Sequence, residues 1–183
     1  TDWGPHLLDM ALWAKDVTYG PTEVMDTGDN YTHLDRNRET FATLSVIYKM
    51  KDYVITWDQN AAAETGPYEM GFGVEFVGDK GTIVADRKKW FLVQDGQRKD
   101  FTPEVDYPHV ENFIECIRTR NEPNCPPEVG RNAAVYSHMG NIVARSEEGK
   151  CVWDDEKNKF TNSKSANDYV KPEYRKPWKF PEV

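Results

Sequence analysis

The segment Asp2-Trp3-Gly4-Pro5-His6-Leu7-Leu8-Asp9 brings two carboxylates and an imidazole into eight residues. Pro5 suits the first turn of a helix, where its missing N–H costs nothing. On that helix His6 and Asp9, three residues apart, share one face. Asp2, four before His6, lies close enough to approach the ring. A carboxylate beside a histidine fixes its tautomer and raises its basicity, as a general base for a hydroxyl proton requires. The same spacing also suits a plainer arrangement, with Asp2 capping the helix and His6 satisfied in a packed interior. Other chemistries lack their residues. There is no H-E-x-x-H or H-x-x-x-H, and His33, His109 and His138 fall in unrelated segments, so no metal is expected. There is no G-x-S-x-G and no cysteine in a nucleophile context. Gly71-Phe-Gly73 begins like a dinucleotide fingerprint but continues Val-Glu-Phe, without a third glycine. No cofactor site is expected within the chain.

The elements that must hold this segment can be read from period and punctuation. Residues 5–17 predict a helix that is apolar almost all round and therefore buried. Residues 18–38, rich in Gly, Pro, Asp, Asn and Thr, predict a long surface loop. From Thr40 the period becomes two, with strands over 41–50 and 53–58. Strands over 71–77 and 82–86 flank Gly78-Asp-Lys-Gly81, and strands over 90–94 and 98–101 flank Asp95-Gly96. Six hairpin-joined strands predict one antiparallel sheet. Val110, Phe113, Ile114 and Ile117 then predict a helix entered at Pro108 with Asp106 as its cap. Pro126-Pro127 open a second helix, which keeps Val129, Ala133, Tyr136, Gly140 and Val143 on one face and stops at Gly149. Residues 151–183 read as an extended strap anchored by Trp153 and Trp178. The expected fold is α+β, an open, mainly antiparallel sheet with helices on one face. Leu44, Val46, Tyr48, Val54, Ile55 and Trp57 carry more apolar mass than a wet face needs. Another subunit or domain would cover the second face, or the loops 18–38 and 60–70 would.

Composition bounds these readings. With 183 residues, the chain fits a single domain (1–183). Twenty-three aromatic residues carry much of the core, and no apolar run is long enough for a membrane span. A net charge of -8 disfavours nucleic acid, and Lys171, Arg175, Lys176 and Lys179 read as a solvated strap. Three cysteines without a C-x-x-C pair argue against a disulfide scaffold. No signal peptide is visible, and a first residue other than Met is expected of a chain cut from something longer. The compartment is therefore unknown, cytoplasmic by default with the periplasm left open.

D-W-G-P-H-L-L-D followed by M-A-L-W resembles the D-x-G-x-H-x-x-D segment of the glucose-fructose oxidoreductase, inositol dehydrogenase and rhizopine-catabolism (Gfo/Idh/MocA) family. G-F-G-V-E-F-V-G-D-K-G-T-I is similar to a strand-turn-strand stretch of that family. N-F-I-E-C-I-R-T-R-N-E-P-N-C, H-M-G-N-I-V-A-R, V-W-D and Y-R-K-P-W resemble one of its bacterial branches. The resemblance implies a dihydrodipicolinate-reductase-like C-terminal domain that binds substrate and forms a homo-dimer or tetramer through its sheet. It implies a proton-transfer pair at His6 and Asp2, working with a lysine of an E-K-P motif in a Rossmann domain. This chain has no E-K-P, so that lysine and the NAD or NADP site would lie on residues outside it. Asp9 and Trp3 are implied as substrate contacts, Asp9 alternatively as a helix-face hydrogen-bonding residue. The implied activity is NAD(P)-dependent oxidation of a sugar, polyol or related cyclic alcohol, with NAD-assisted glycoside cleavage as the alternative. These 183 residues alone would be inactive. The competing reading is a non-catalytic module that dimerises through its sheet.

Overall fold

The computed structural model describes residues 2–32, 37, 39–102, 108–171 and 173–179. In chain order the elements are α1 (Trp3–Ala14), β1 (Glu23–Asp29), β2 (Thr43–Lys49), β3 (Val54–Asn60), β4 (Val74–Gly78), β5 (Gly81–Ala85), β6 (Trp90–Gln94) and β7 (Gln97–Phe101). They continue with α2 (His109–Thr119), α3 (Pro127–Ser146), β8 (Lys150–Asp154), β9 (Lys159–Phe160) and α4 (Lys164–Val170). The fold is α+β with open antiparallel sheets, as expected. The strands divide between two sheets rather than forming one, and the chain divides into two compact units. No helix among the described residues is long and apolar enough to cross a membrane.

Residues 18–62 and 135–183 form the first unit. Its sheet runs β3-β2-β1-β8-β9, all antiparallel. The segment expected as a loop therefore contains a central strand. β1 reads Glu-Val-Met-Asp-Thr-Gly-Asp, three of whose residues favour turns, so its composition conceals the pairing. Gly28 belongs there because a Cβ would stand 2.5 Å from the Thr43 carbonyl oxygen and 2.9 Å from Leu44 Cα. On the core face Val24, Leu44, Val46 and Tyr48 are buried. The second half of α3 packs on this face, where Tyr48 Oη donates to the Tyr136 carbonyl (2.8 Å) and the two rings sit 5.3 Å apart. Gly140 makes the close approach, since a Cβ there would lie 2.8 Å from Tyr48 Oη and 3.1 Å from Val46 Cγ2.

Register corrects the expected apolar excess. Ile55 and Trp57 pair with Tyr48 and Val46 and share the α3 face, whereas Val54 pairs with Lys49 on the opposite face. That second face is mixed: Glu23 meets Lys49 (2.9 Å) and Lys150 (2.7 Å), Ser45 Oγ donates to Asp58 (2.6 Å), and Ile47 and Val54 stay exposed. Of the strap expected over 151–183, the part up to Val170 is instead a hairpin and a helix. Ser163 Oγ caps α4 by accepting from the Ala166 N–H (3.0 Å), and Asn167 bonds both the N–H and the carbonyl of Phe160 (2.9 and 2.6 Å). Trp153 does anchor, packing 5.0 Å from Phe160, whereas Trp178 is 67% exposed.

Residues 2–17 and 63–134 form the second unit. Its sheet is the meander β4-β5-β6-β7. The Asp95-Gly96 turn forms as read, with both residues at positive φ (50° and 72°), the twist a two-residue hairpin needs. Val84 and Phe91, paired neighbours on β5 and β6, form its buried centre. α1 begins at Trp3, so Pro5 lies in its first turn. It buries Leu7, Leu8 and Leu12 but leaves Trp13 81% exposed, so the helix is one-sided and not buried all round. At its end, Asn132 Nδ2 in the early part of α3 donates to the Val17 carbonyl (2.6 Å). α2 forms as expected, starting after Pro108 and ending at Arg120 in the left-handed region (φ 63°). Asp106, read as its cap, lies outside the described residues.

Candidate functional site

α1 carries Trp3, His6 and Asp9, with Asp2 at its N-cap, and all four belong to the second unit. Asp2 stands at the N-cap position with φ 27°, but its side chain makes no capping hydrogen bond. His6 is exposed, one turn into the helix. Neither half of the plainer arrangement is therefore present: the aspartate does not cap, and the histidine is not enclosed. Nor does a hydrogen bond join Asp2 to His6 among the described residues. Asp9, one turn further along, lies near enough for the imidazole to act on its carboxyl. Partial burial holds the Asp9 carboxyl above the usual carboxylate range, and the nearby His6 acts in the opposite direction.

Trp3 organises the rest. Its ring meets the His6 imidazole edge to face, with centroids 5.9 Å apart. It also stacks on Phe72, with centroids 4.4 Å apart and planes 29° from parallel. Trp3 and Phe72 remain 39% and 38% exposed, so the stacked pair forms a shelf only partly open to solvent, with the imidazole at its edge. Phe72 reaches α1 because Gly71-Phe72-Gly73 leads into β4, with Gly73 passing so close to β5 that a Cβ would lie 3.1 Å from the Ala85 carbonyl oxygen. The guanidinium carbon of Arg87 lies 5.0 Å from the centre of the Trp3 ring. Arg87 is held by the β5–β6 turn, where Asp86 Oδ1 accepts from the N–H groups of Lys88 (2.6 Å) and Lys89 (2.8 Å).

Sequence reasoning missed Phe72 and Arg87. Phe72 stands out only as a large aromatic between two glycines, a pattern read as an aborted fingerprint. Arg87 follows a strand in a run of Asp-Arg-Lys-Lys and has no local signal at all. Gly71 and Gly73 open onto an antiparallel hairpin, not the helix that follows a dinucleotide fingerprint. No group of three or more metal-ligating side chains gathers among the described residues.

Neither a protein-family model nor a curated protein matches the sequence. Solved structures do match in shape. A proposed oxidoreductase from Thermotoga maritima superposes with a TM-score of 0.64 at 14% identity, over 82% of this chain and 45% of that one. The aldose-aldose oxidoreductase from Caulobacter crescentus gives 0.62 at 14%, over 82% and 46%. A proposed oxidoreductase from Klebsiella pneumoniae gives 0.60 at 17%, over 92% and 51%. The chain thus has a fold present in oxidoreductases and spans about half the length of each of these proteins.

Proposed function

We propose that this chain is the C-terminal, substrate-binding half of an NAD(P)-dependent oxidoreductase of the Gfo/Idh/MocA family, acting on a sugar, polyol or related cyclic alcohol. The observation that carries this reading is the exposed His6 imidazole at the edge of the Trp3–Phe72 shelf, in a fold shared with an aldose-aldose oxidoreductase. A flat aromatic surface suits the C–H face of a sugar ring, and an imidazole at its rim suits the ring's hydroxyl groups. In this reading His6 accepts the proton of the hydroxyl being oxidised and returns it in the reverse direction. Asp9 supplies negative charge to the same turn, and Asp2, free of a capping duty, can turn to the imidazole once substrate binds. Hydride acceptance would be the chemistry supplied by a nicotinamide cofactor, which residues of a Rossmann half outside this chain would hold. Assembly into a homo-dimer or tetramer would use the open face of the five-stranded sheet.

In the enzyme comprising both halves, His6→Asn should lower kcat by about 10² to 10⁴ while leaving dinucleotide binding unchanged. Steady-state kinetics alongside a cofactor titration read both quantities. A rate near the parent's would remove His6 from the chemistry.

A further inference from the structure

We infer that Arg87, lying over the Trp3 ring, is a subsite for an oxyanionic substituent on the sugar or polyol that occupies the shelf. Several cations among the described residues are paired with carboxylates. Lys49 and Lys150 meet Glu23, Lys157 meets Asp154, and Lys164 meets Asp168. Arg98 gives the sharpest contrast. It too lies over an aromatic ring, 3.7 Å from the centre of Phe91, but its guanidinium is already paired with Asp100 at 2.6 Å. Arg87 has its ring and no carboxylate among the described residues, although acidic residues outnumber basic ones 31 to 23. The nearest acid in sequence, Asp86, is engaged by the backbone of its own turn.

A guanidinium lying over an indole is attracted to the negative face of the ring and can still offer N–H groups to a carboxylate or phosphate. Arg87 is exposed, and Lys88 and Lys89 beside it are exposed as well, so an incoming anion meets local positive charge on a chain that is negative overall. Trp3 is common to both contacts, stacked with Phe72 and under Arg87, with His6 at its edge. A ligand lying on the shelf would therefore reach Arg87 and His6 together. Uronic and aldonic acids or sugar phosphates would be preferred over neutral sugars.

This inference takes the shelf as a substrate site from the proposed function, and its test separates the two. The full chain is titrated with D-glucose, D-glucuronate and D-glucose 6-phosphate, following the indole N–H of Trp3 and the ring signals of His6 by NMR. Trp3→Phe assigns the indole signal. One or both anions should bind about tenfold more tightly than glucose, the yield of one exposed charge-assisted contact. Arg87→Met should erase the difference, and Arg87→Lys should retain part of it. Whichever anion is tighter identifies the substituent. Equal affinity for glucose and both anions, a preference that survives Arg87→Met, or no perturbation of Trp3 by any of the three would overturn the subsite. An Arg87-dependent preference in a protein whose His6→Asn form still turns over would uphold the subsite and sink the catalytic reading instead.

Discussion

Around His6 the side chains divide the work by their physical type. Asp9 is partly buried, Trp3 and Phe72 are apolar and partly open to solvent, and Asp2 is exposed without a capping hydrogen bond. An aromatic shelf contributes equally to substrate in its ground and transition states, so its loss belongs in binding rather than turnover. Trp3→Ala in the complete enzyme should raise KM by about tenfold, the equivalent of roughly 1 kcal/mol of aromatic contact, with kcat little changed. A fall in kcat with constant KM would mean that Trp3 positions His6 instead. This site was half legible. Asp2, Trp3, His6 and Asp9 lie in one short run, so helical spacing alone predicts which of them can meet. Phe72 and Arg87 come from a strand entry and a hairpin turn elsewhere in the chain, and only pairing of β4 with β5 brings them to α1.

Of the three carboxylates on strand β1, Glu23 and Asp26 sit in environments that differ in sign. Glu23, hydrogen-bonded to Lys150 and Lys49, is held down to about 2 from its ordinary 4.5. Its contribution to stability is present above pH 4.5 and is lost as pH falls towards 2. Asp26 pairs with Val46 on the core face, where burial raises its carboxyl and one oxygen has no hydrogen-bond partner. Ionised Asp26 therefore costs stability at neutral pH, and the cost disappears as pH falls through its raised pKa to the unfolded 3.8. Thermal unfolding across pH should show Glu23→Gln melting below the parent at pH 7 and converging with it towards pH 2. Asp26→Asn should melt above the parent at pH 7 and lose that gain below pH 4. Parallel profiles would refute both assignments. At the α3 contact, Gly140→Ala must displace the buried Tyr48 hydroxyl and should cost about 1–3 kcal/mol in denaturant unfolding. β1 itself was illegible because Asp, Gly and Thr read as a loop, and the bonds that make them a strand come from β2 and β8 on either side.

For the whole molecule, two apolar surfaces stand out. α2 exposes Val110, Phe113, Ile114 and Ile117 along one stripe, and the face of the five-stranded sheet away from α3 exposes Ile47 and Val54. The proposed assembly uses the second, where a copy of the same sheet would cover Ile47 and Val54. Light scattering of the chain should give the mass of a dimer or larger. The double variant Ile47→Lys with Val54→Lys should give a monomer of unchanged circular dichroism, because both side chains already face solvent. A monomeric parent chain would rule out this face as the assembly surface.

By itself the sequence determined the local features: helices with a clear apolar stripe, the Asp95-Gly96 hairpin, and a helix opening that carries His6 between two aspartates. Each depends on residues within a turn or two, where spacing and backbone preference decide the outcome. The tertiary structure alone decided which strands share a sheet, that Glu23–Asp29 lies at the centre of one, and that the second aromatic and the cation beside Trp3 are Phe72 and Arg87. Those outcomes come from hydrogen bonds and ring contacts between segments far apart in the chain, which no local pattern encodes.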